Sequence, residues 1–588
     1  MRSGAAGITR TLDELGVEHA FGVPGTQNVQ LLEHLRRSPL RFVSAASELG
    51  AAFMANGYFR ASGRPGLLVT IGGPGFTLAL TGIAEARHDS AALLWLVVTR
   101  RPPEGRRFGL QALDVAGVAS PLVKAVHEAE DPENLPGLVR KAHARAVSGE
   151  PGPVLVEIDA SLLGPGGTKP ARTAAAGEGA SKRMSSAGTA PRSPLESADL
   201  ERLIARLRAS ERVVLYVGQG AADAAGSVRR LSRAWRAPVL ASTSGRGVVP
   251  EDDDLALMVD RPGADPTAVN ELFGEADLIL VLGCKLSHNG SHGFQLHLPP
   301  EKLVHVDASR EVLEANFPAG LAIRARVSDV VAGLLEGGAA EARTGGGWSV
   351  DEIAAWGERL ALDSEDASAE VGIRGGRPDG IPAFFHLLRE LLPREAVLVT
   401  DSGRHQMQAR HHFPVLAPRG LVAPSDFQSM GFGVPAAVGA RLAAPERPVV
   451  ALVGDGGFAM SGMELRAAVR EGLSLTVIVF NDGELGLIRQ QQHREWGRSV
   501  GTRLGALDCR ALAAAAGARH VTLTGDLRDT LEEALAGGSG VTVAELPLGR
   551  TTESRLEQGR GLARESMRRA LGDRLLSWIR SRRRGEES

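Results

Sequence analysis

At 588 residues the chain is too long for one hydrophobic core, and at about 150 residues per domain it should hold three or four. Its 43% hydrophobic and 23% charged residues suit a soluble globular protein, and a net charge of −2 gives no reason to expect nucleic acid or an anionic membrane as partner. Two cysteines, Cys284 and Cys509, exclude a disulfide framework and fit a cytoplasmic protein; no apolar run approaches the roughly 20 residues of a membrane span, and residues 8–15 read as a helix carrying Asp13 and Glu14 rather than as a signal-peptide core.

Residues 1–162 alternate apolar runs with helix-length segments, and strands are predicted at 20–23, 66–70, 93–98 and 154–158. That alternation argues a parallel βαβ sheet. Residues 163–195 are rich in Gly, Ala, Ser, Pro, Lys and Arg and read as a flexible linker. A second α/β block covers 196–335, with strands at 213–217, 238–240, 278–282 and 303–306. Its Gly218-Gln219-Gly220 lacks the third glycine of a dinucleotide fingerprint and reads as a tight turn. A Gly/Ala-rich joint at 336–347 leads to a third α/β block at 370–548. Residues 549–588 form a helical basic tail, in which Leu556, Leu562, Met567, Leu571, Leu575 and Ile579 keep a helical rhythm before an arginine-rich, solvated end.

The third block holds the most informative motif. Gly454-Asp455-Gly456-Gly457 follows the apolar run Val449-Val450-Ala451-Leu452-Val453, and Asn481-Asp482 follows Val477-Ile478-Val479-Phe480, with a helix-length segment at 463–471 between them. Both acids fall at carboxyl ends of buried strands, where open α/β sheets bind ligands. Two hard oxygen ligands beside glycines that admit a phosphate suit a Mg²⁺-diphosphate site. Ordinary turns would not require acids at both strand ends.

Three further stretches give the motif a context. The first is Phe21-Gly22-Val23-Pro24-Gly25 with Ser47-Glu48-Leu49-Gly50-Ala51-Ala52 and Asn56-Gly57-Tyr58. The second is Gly73-Pro74-Gly75-Phe76-Thr77 with Thr81-Gly82-Ile83-Ala84 and Asp89-Ser90. The third is Asp401-Ser402-Gly403-Arg404-His405-Gln406-Met407 with Met430-Gly431-Phe432-Gly433-Val434-Pro435. In this order and spacing the chain resembles the thiamine diphosphate (ThDP)-dependent 2-oxo acid decarboxylase and carboligase family, in its acetolactate synthase large subunit-like branch. The resemblance implies three doubly wound parallel-sheet α/β domains. The first holds the cofactor's aminopyrimidine, the central one is structural or binds an extra nucleotide, and the third holds the diphosphate. It implies a homodimer or homotetramer with active sites between subunits.

It also implies roles for particular residues. Glu48 matches the glutamate that hydrogen-bonds the aminopyrimidine and drives a proton relay in a dry site. Asp455, Asp482 and the backbone carbonyl of Glu484 match the Mg²⁺ ligands, and Gly456 and Gly457 the N–H donors to the diphosphate. The family often has asparagine where Asp482 stands. Met430 matches the bulky residue that holds the cofactor bent, with Leu487 a candidate neighbour of the same pocket. Ser402, Gly403 and His405 match a loop beside the cofactor; His405 reads equally as a diphosphate donor and as a structural histidine. Gly25 would line the reacting centre, and Gln111 would reach the substrate.

The implied activity is that of a carboligase that decarboxylates a pyruvate-like 2-oxo acid and transfers the acyl unit to a second carbonyl. The alternatives are a non-oxidative 2-oxo acid decarboxylase or 2-hydroxyacyl-CoA lyase of the same family, and a cofactor-binding protein without catalysis. Intact Glu48, Asp455 and Asp482 argue against the last. Departures bear on the substrate: Gln491 replaces the tryptophan that biosynthetic acetolactate synthases use to favour a larger acceptor, and Leu78 replaces an asparagine. Gly283-Cys284-Lys285-Leu286-Ser287-His288 stands where a flavin-contacting arginine-and-acid motif is expected, which speaks against FAD. A Rossmann dehydrogenase is disfavoured, because no Gly-x-Gly-x-x-Gly follows a strand with an acid about 20 residues on.

Overall fold

A computed structural model of the protein describes residues 3–101, 109–164, 195–257, 266–337, 347–370, 380–536 and 540–548, with 106, 260, 262 and 538 between these runs and without the side chains of 362–370. The expected linker at 163–195 and joint at 336–347 lie outside the described residues except at their ends, and the expected tail at 549–588 lies outside them entirely.

Three six-stranded sheets account for the strands. In the first, Arg41–Ser44, His19–Gly22, Gly66–Ile71, Leu93–Thr99, Val154–Asp159 and Ala125–Glu128 lie side by side in that order. In the third, Leu421–Val422, Val397–Thr400, Val449–Gly454, Leu475–Asn481, Val541–Pro547 and Arg519–Thr522 repeat the same topology. The central sheet differs, running Leu321–Arg324, Leu303–Asp307, Leu278–Leu282, Val213–Val217, Val239–Ala241 and Ala256–Leu257. All pairings within the sheets are parallel. The inner strands are near-continuous runs of Val, Leu and Ile, buried on both faces, as helices packed on each side of a parallel sheet require. Among the described residues no helix is long and apolar enough to cross a membrane.

The first and third sheets are joined by two helices that occupy equivalent places, each following the second strand of its sheet. They are Glu48–Ser62 and Gly433–Ala443, and nearly all their residues are buried. Ser47 caps the first, accepting from the Gly50 N–H at 3.1 Å, and Gly63 at φ +77° ends it. The two backbones touch. A Cβ on Gly57 would stand 2.1 Å from the Ala436 carbonyl oxygen, and one on Gly439 would stand 1.9 Å from that of Met54. Phe53 and Phe432 meet edge to face beside them, centroids 5.3 Å apart. One continuous apolar core therefore runs through both domains.

The central domain docks through buried charge. Arg410 reaches Asp260 at 2.5 Å, Arg246 pairs with Glu251 at 2.5 Å, and Arg246 also donates to the carbonyls of Arg410 and Phe413. Burial alone would raise the Asp260 carboxyl, but Arg410 and Arg246 hold it below the usual carboxylate range.

The helix crossing makes a direct prediction. Gly439→Ala should lower stability by about 1–3 kcal/mol or more, since the added methyl meets backbone that cannot yield. Gly137→Ala, on the Leu135–Val147 helix with no atom within 4 Å of the new methyl, should instead gain about 0.5–1 kcal/mol. Urea unfolding midpoints of the two variants, measured side by side, check this; equal shifts would refute the close-contact account.

Candidate active site

In the third sheet the chain turns opposite ways from Val397–Thr400 and Val449–Gly454, and the crevice between their carboxyl ends is the topological switch point. Asp401 and Asp455 sit at its two sides. Asp401 is fully buried and accepts from Ser402, Gly431 and Gly433 N–H at 2.7, 3.0 and 3.1 Å. It thus ties the Ser402-Gly403 loop to the segment that carries Met430. Burial pushes its carboxyl up to about 6.

A helix already begins at Asp455, running Asp455–Ser461, and the segment expected at 463–471 holds a second helix, Leu465–Arg470. Asp455 Oδ1 accepts from Gly456 N–H at 2.9 Å and Oδ2 from Gly483 N–H at 2.8 Å. Burial, then the charge of Asp482, push Asp455 up to about 6. Asp482 accepts from Glu484 N–H at 3.0 Å through Oδ1 and from Arg404 Nη2 at 2.5 Å through Oδ2. Its neighbour Asn481 turns away, donating to Glu545 Oε1 at 2.8 Å and the Leu507 carbonyl at 3.1 Å. The loop at Glu484 is zipped to a second segment by Leu485 N–H to the Thr502 carbonyl and Leu504 N–H to the Gly483 carbonyl, at 2.7 and 2.9 Å. Those two bonds leave the Glu484 carbonyl out of the ladder.

Three apolar side chains close over Gly456. A Cβ there would lie 3.1 Å from Leu485, 3.1 Å from Leu504 and 3.3 Å from Met430. Leu487 sits half-buried on the next helix, Gly486–Trp496, and is not among those nearest neighbours. His405 is buried between Gly403 and Gly454, against Phe480. Burial lowers its ring to about 4, so it is neutral, and its Nε2 has no partner among the described residues. Ser402 Oγ donates to Gln428 at 3.1 Å. An acid pair, an orphaned imidazole nitrogen and a cradle that a Cβ would fill suit a metal–diphosphate group. Among the described residues no cluster of three or more Cys, His, Asp or Glu forms a metal cage, so oxygens of the ligand itself would complete the coordination.

The first sheet has its own switch point, between His19–Gly22 and Gly66–Ile71. Gly25 N–H is pinned by Asn28 Oδ1 at 2.9 Å, and a Cβ on Gly25 would stand 2.6 Å from Ile71. Gln27 bridges Gly72 N–H, which donates at 3.1 Å, and Gln111 Oε1, to which it donates at 2.8 Å. Gln111 lies at φ +57°, backed against Gly73. Glu48 opens its helix, 8% exposed, with Oε1 only 2.8 Å from where a Gly75 Cβ would be.

Glu464, from the third domain, holds the turn before Glu48. Its carboxylate accepts from the Ala46 N–H, the Ser47 N–H and the Ser47 hydroxyl at 2.8, 3.0 and 3.1 Å. Gly50 leaves room for it. The sequence assigned no role to Asp401 and Arg404, which lie in a motif stretch, nor to Glu464 and Gln27. Arg404 had a visible signal: a cation beside His405 in a chain that carries aspartate at 482.

Family models fit this architecture. The C-terminal TPP binding domain of thiamine pyrophosphate enzymes matches residues 401–545, the N-terminal TPP binding domain residues 2–118, and their central domain residues 200–334. The chain belongs to the thiamine pyrophosphate (ThDP) enzymes and is an enzyme of the transferase or lyase type. Among its relatives, it is 30% identical over 494 residues to the acetolactate synthase isozyme 1 large subunit of Escherichia coli, covering 83% of each chain. It is 32% identical over 549 residues to a probable 2-ketoarginine decarboxylase, AruI, of Pseudomonas aeruginosa, covering 92% of this chain and 93% of that one. A probable acetolactate synthase large subunit of Methanocaldococcus jannaschii is 29% identical over 507 residues, 84% of this chain and 83% of its own.

Behind Met430 lies Glu85, fully buried on the Pro74–His88 helix and accepting from Ser429 N–H at 2.8 Å. Burial, then Asp89, push its carboxyl up to about 8, so it is protonated at neutral pH. The folded value exceeds the unfolded one. Its contribution to stability is therefore complete below the ordinary value of 4.5 and is lost as pH rises through about 8. Glu85→Gln keeps the acceptor without the titration. Its unfolding midpoint should fall less than that of the wild type between about pH 5 and pH 9, and parallel pH profiles would contradict the assignment.

Proposed function

We propose that the protein is a ThDP- and Mg²⁺-dependent carboligase, decarboxylating a pyruvate-like 2-oxo acid and transferring the acyl unit to a second carbonyl. The observation that carries this reading is the pair of switch-point crevices in one molecule, Glu48 with Gly25 and Gln111 at one, Asp455 with Asp482 at the other, in a chain similar to acetolactate synthases over 83% of its length.

When bound, ThDP supplies the electron sink for loss of CO₂. The protein does the rest. Asp455, Asp482 and the Glu484 carbonyl would hold Mg²⁺, and Gly456 and Gly457 would offer N–H groups to the diphosphate. Ser402, Gly403 and His405 form the loop beside it, where the neutral His405 keeps Nε2 unpartnered. Met430, with Leu485 beside it over Gly456, would hold the cofactor bent, and Leu487 on the next helix would neighbour the same pocket. Glu48 moves the proton at the aminopyrimidine, in a setting dry enough for a charge-assisted hydrogen bond to be strong. Gly25 leaves room at the reacting centre, and Gln111, oriented by Gln27, contacts the substrate.

The site is completed between subunits of a homodimer or homotetramer. Leu78, Leu110, Met460 and Leu504 support this, being 53%, 77%, 60% and 48% exposed around the two half-sites. FAD is not part of the proposal: Lys285 is engaged by Glu150 at 2.7 Å and by the His88 carbonyl at 2.8 Å. A cytoplasmic location agrees with two free, buried cysteines.

Non-oxidative decarboxylation is the second reading. It is favoured by the similarity to a probable 2-ketoarginine decarboxylase across 92% of the chain, and by Gln491 at the acceptor-selecting position.

The purified protein with ThDP, Mg²⁺ and a panel of 2-oxo acids, one of them bearing a guanidinium, decides between them when products are identified by mass. A condensed 2-hydroxy-3-oxo acid is the expected product; free aldehyde with no condensation selects the second reading, and no CO₂ from any donor refutes both. Glu48→Gln should lose about 10²–10⁴-fold in turnover while its ThDP affinity stays near wild type. Undiminished turnover would remove Glu48 from the relay.

A further inference from the structure

Two carboxylates at one metal site pose an electrostatic problem. Asp455 and Asp482 stand close enough to disturb each other, both are largely buried, and the ligand they must admit beside the metal is itself an anion. A neutral amide at position 482, common in the resembling family, would avoid the problem. In this chain the remedy lies on another strand.

Arg404 is the first residue of the Arg404–His412 helix, directly after Gly403 at φ +150°. Its Nη2 is 2.5 Å from Asp482 Oδ2, and the two side chains are only 6% and 11% exposed, so water and salt do little to screen the pair. The guanidinium reaches Asp482 across Gly486, where a Cβ would lie 2.5 Å from Cζ, Nε and Nη2. No side chain larger than hydrogen at 486 would allow that approach. The other Asp482 oxygen is fixed by Glu484 N–H at 3.0 Å, so the carboxylate is held at both ends.

We infer that Arg404 is a positioning residue and built-in counter-cation for the metal ligand Asp482: the pair acts as one neutral, oriented oxygen donor, and Gly486 is the opening that lets the pair form. This rests on the metal–diphosphate reading of the two loops. Removing either partner alone leaves one buried charge uncompensated, in opposite senses. Arg404→Gln adds net negative charge, favouring a bare divalent cation and opposing the anionic cofactor. Asp482→Asn leaves the guanidinium facing the metal and opposes the cation. The double change restores neutrality without the ion pair.

The test is a double-mutant cycle on affinity rather than on turnover. Mn²⁺ alone is titrated by electron paramagnetic resonance, and ThDP, at fixed Mg²⁺, by quenching of tryptophan fluorescence. Arg404→Gln should weaken ThDP by about 10–100-fold while Mn²⁺ alone binds as tightly as before or more tightly. Asp482→Asn should weaken Mn²⁺ by a similar factor. The Arg404→Gln/Asp482→Asn protein should return to within about threefold of wild type for both. Arg404→Lys, which keeps the charge but loses the fork, should fall between Arg404→Gln and wild type. Should either single variant unfold, the same rule is read on the thermal midpoint, which the double variant must recover. Independent, additive losses in the double variant, or ThDP binding unchanged by Arg404→Gln, would overturn the inference. Absence of both Mn²⁺ and ThDP binding in the wild-type protein would instead overturn the metal–diphosphate reading on which it stands.

Discussion

The structure turns on the place where two helices meet without side chains between them. Gly57 and Gly439 let the Glu48–Ser62 and Gly433–Ala443 helices approach backbone to backbone, closer than any Cβ permits. That approach fuses the cores of the first and third domains into one. It also brings polar groups of one domain into the other with no water between. Glu464 crosses to hold the turn before Glu48, and Asp89 crosses the other way to accept from Ser425 N–H and hydroxyl at 3.1 and 2.7 Å, while pairing with Arg60 at 3.0 Å. The first crossing ends next to the candidate site residue Glu48, and Glu85, which accepts from Ser429 N–H, reaches the position beside Met430 in the other direction. In a dry interior, losing one partner of such a pair costs about 3–5 kcal/mol, so the geometry of both half-sites is held at the cost of tolerance to change.

Charge is organised along the Arg404–His412 helix in the same spirit. Its first residue pairs with Asp482 in the candidate metal loop, and near its far end Arg410 pairs with Asp260 in the central domain. His405, one residue in, lies under the Gly454 turn. A short helix thus connects the docking of the central domain to the position of a candidate metal ligand. The central domain adds no strand to either half-site, yet its placement bears on one of them through this helix.

What the sequence revealed and what it hid follow from burial. Inner strands such as Leu93–Thr99, Val213–Val217 and Leu278–Leu282 are covered on both faces, so they read as unbroken apolar runs. The edge strands Arg41–Ser44, Ala125–Glu128, Ala256–Leu257, Leu321–Arg324, Leu421–Val422 and Arg519–Thr522 went unnamed; most are half-solvated and mix charged with apolar residues, as Arg-His-Val-Thr does. Val397–Thr400 is buried throughout and was legible in principle. At the candidate site, residues at strand ends were visible: Glu48, Asp455 and Asp482 each follow an apolar run or open a helix. The choice of Asp482 over Asn481 agrees with the amide of Asn481 being taken up by Glu545. Residues that act by reaching a partner far along the chain were invisible. Glu464 needs Ala46 and Ser47, more than 400 positions away, and nothing local marks it.

The repeated topology explains why two half-sites exist at all. The first and third sheets share one strand order, so the same three connections face the crevice in each. After the third strand, the first sheet turns through Gly72-Gly73-Pro74-Gly75 into a helix, and the third turns through Gly454-Asp455-Gly456-Gly457 into another. After the second strand, one sheet leads to Glu48 and the other to Met430 and the Gly433–Ala443 helix. Equivalent positions thus carry opposite chemistry. Where the third sheet places an acid among its glycines, the first places glycines alone; where the first places Glu48, the third places the apolar Met430. On the proposed reading, a fold that offers two crevices of the same topology has been filled by residues suited to the two unlike ends of one elongated cofactor. The central sheet, with its different strand order, lacks those connections and carries none of these residues.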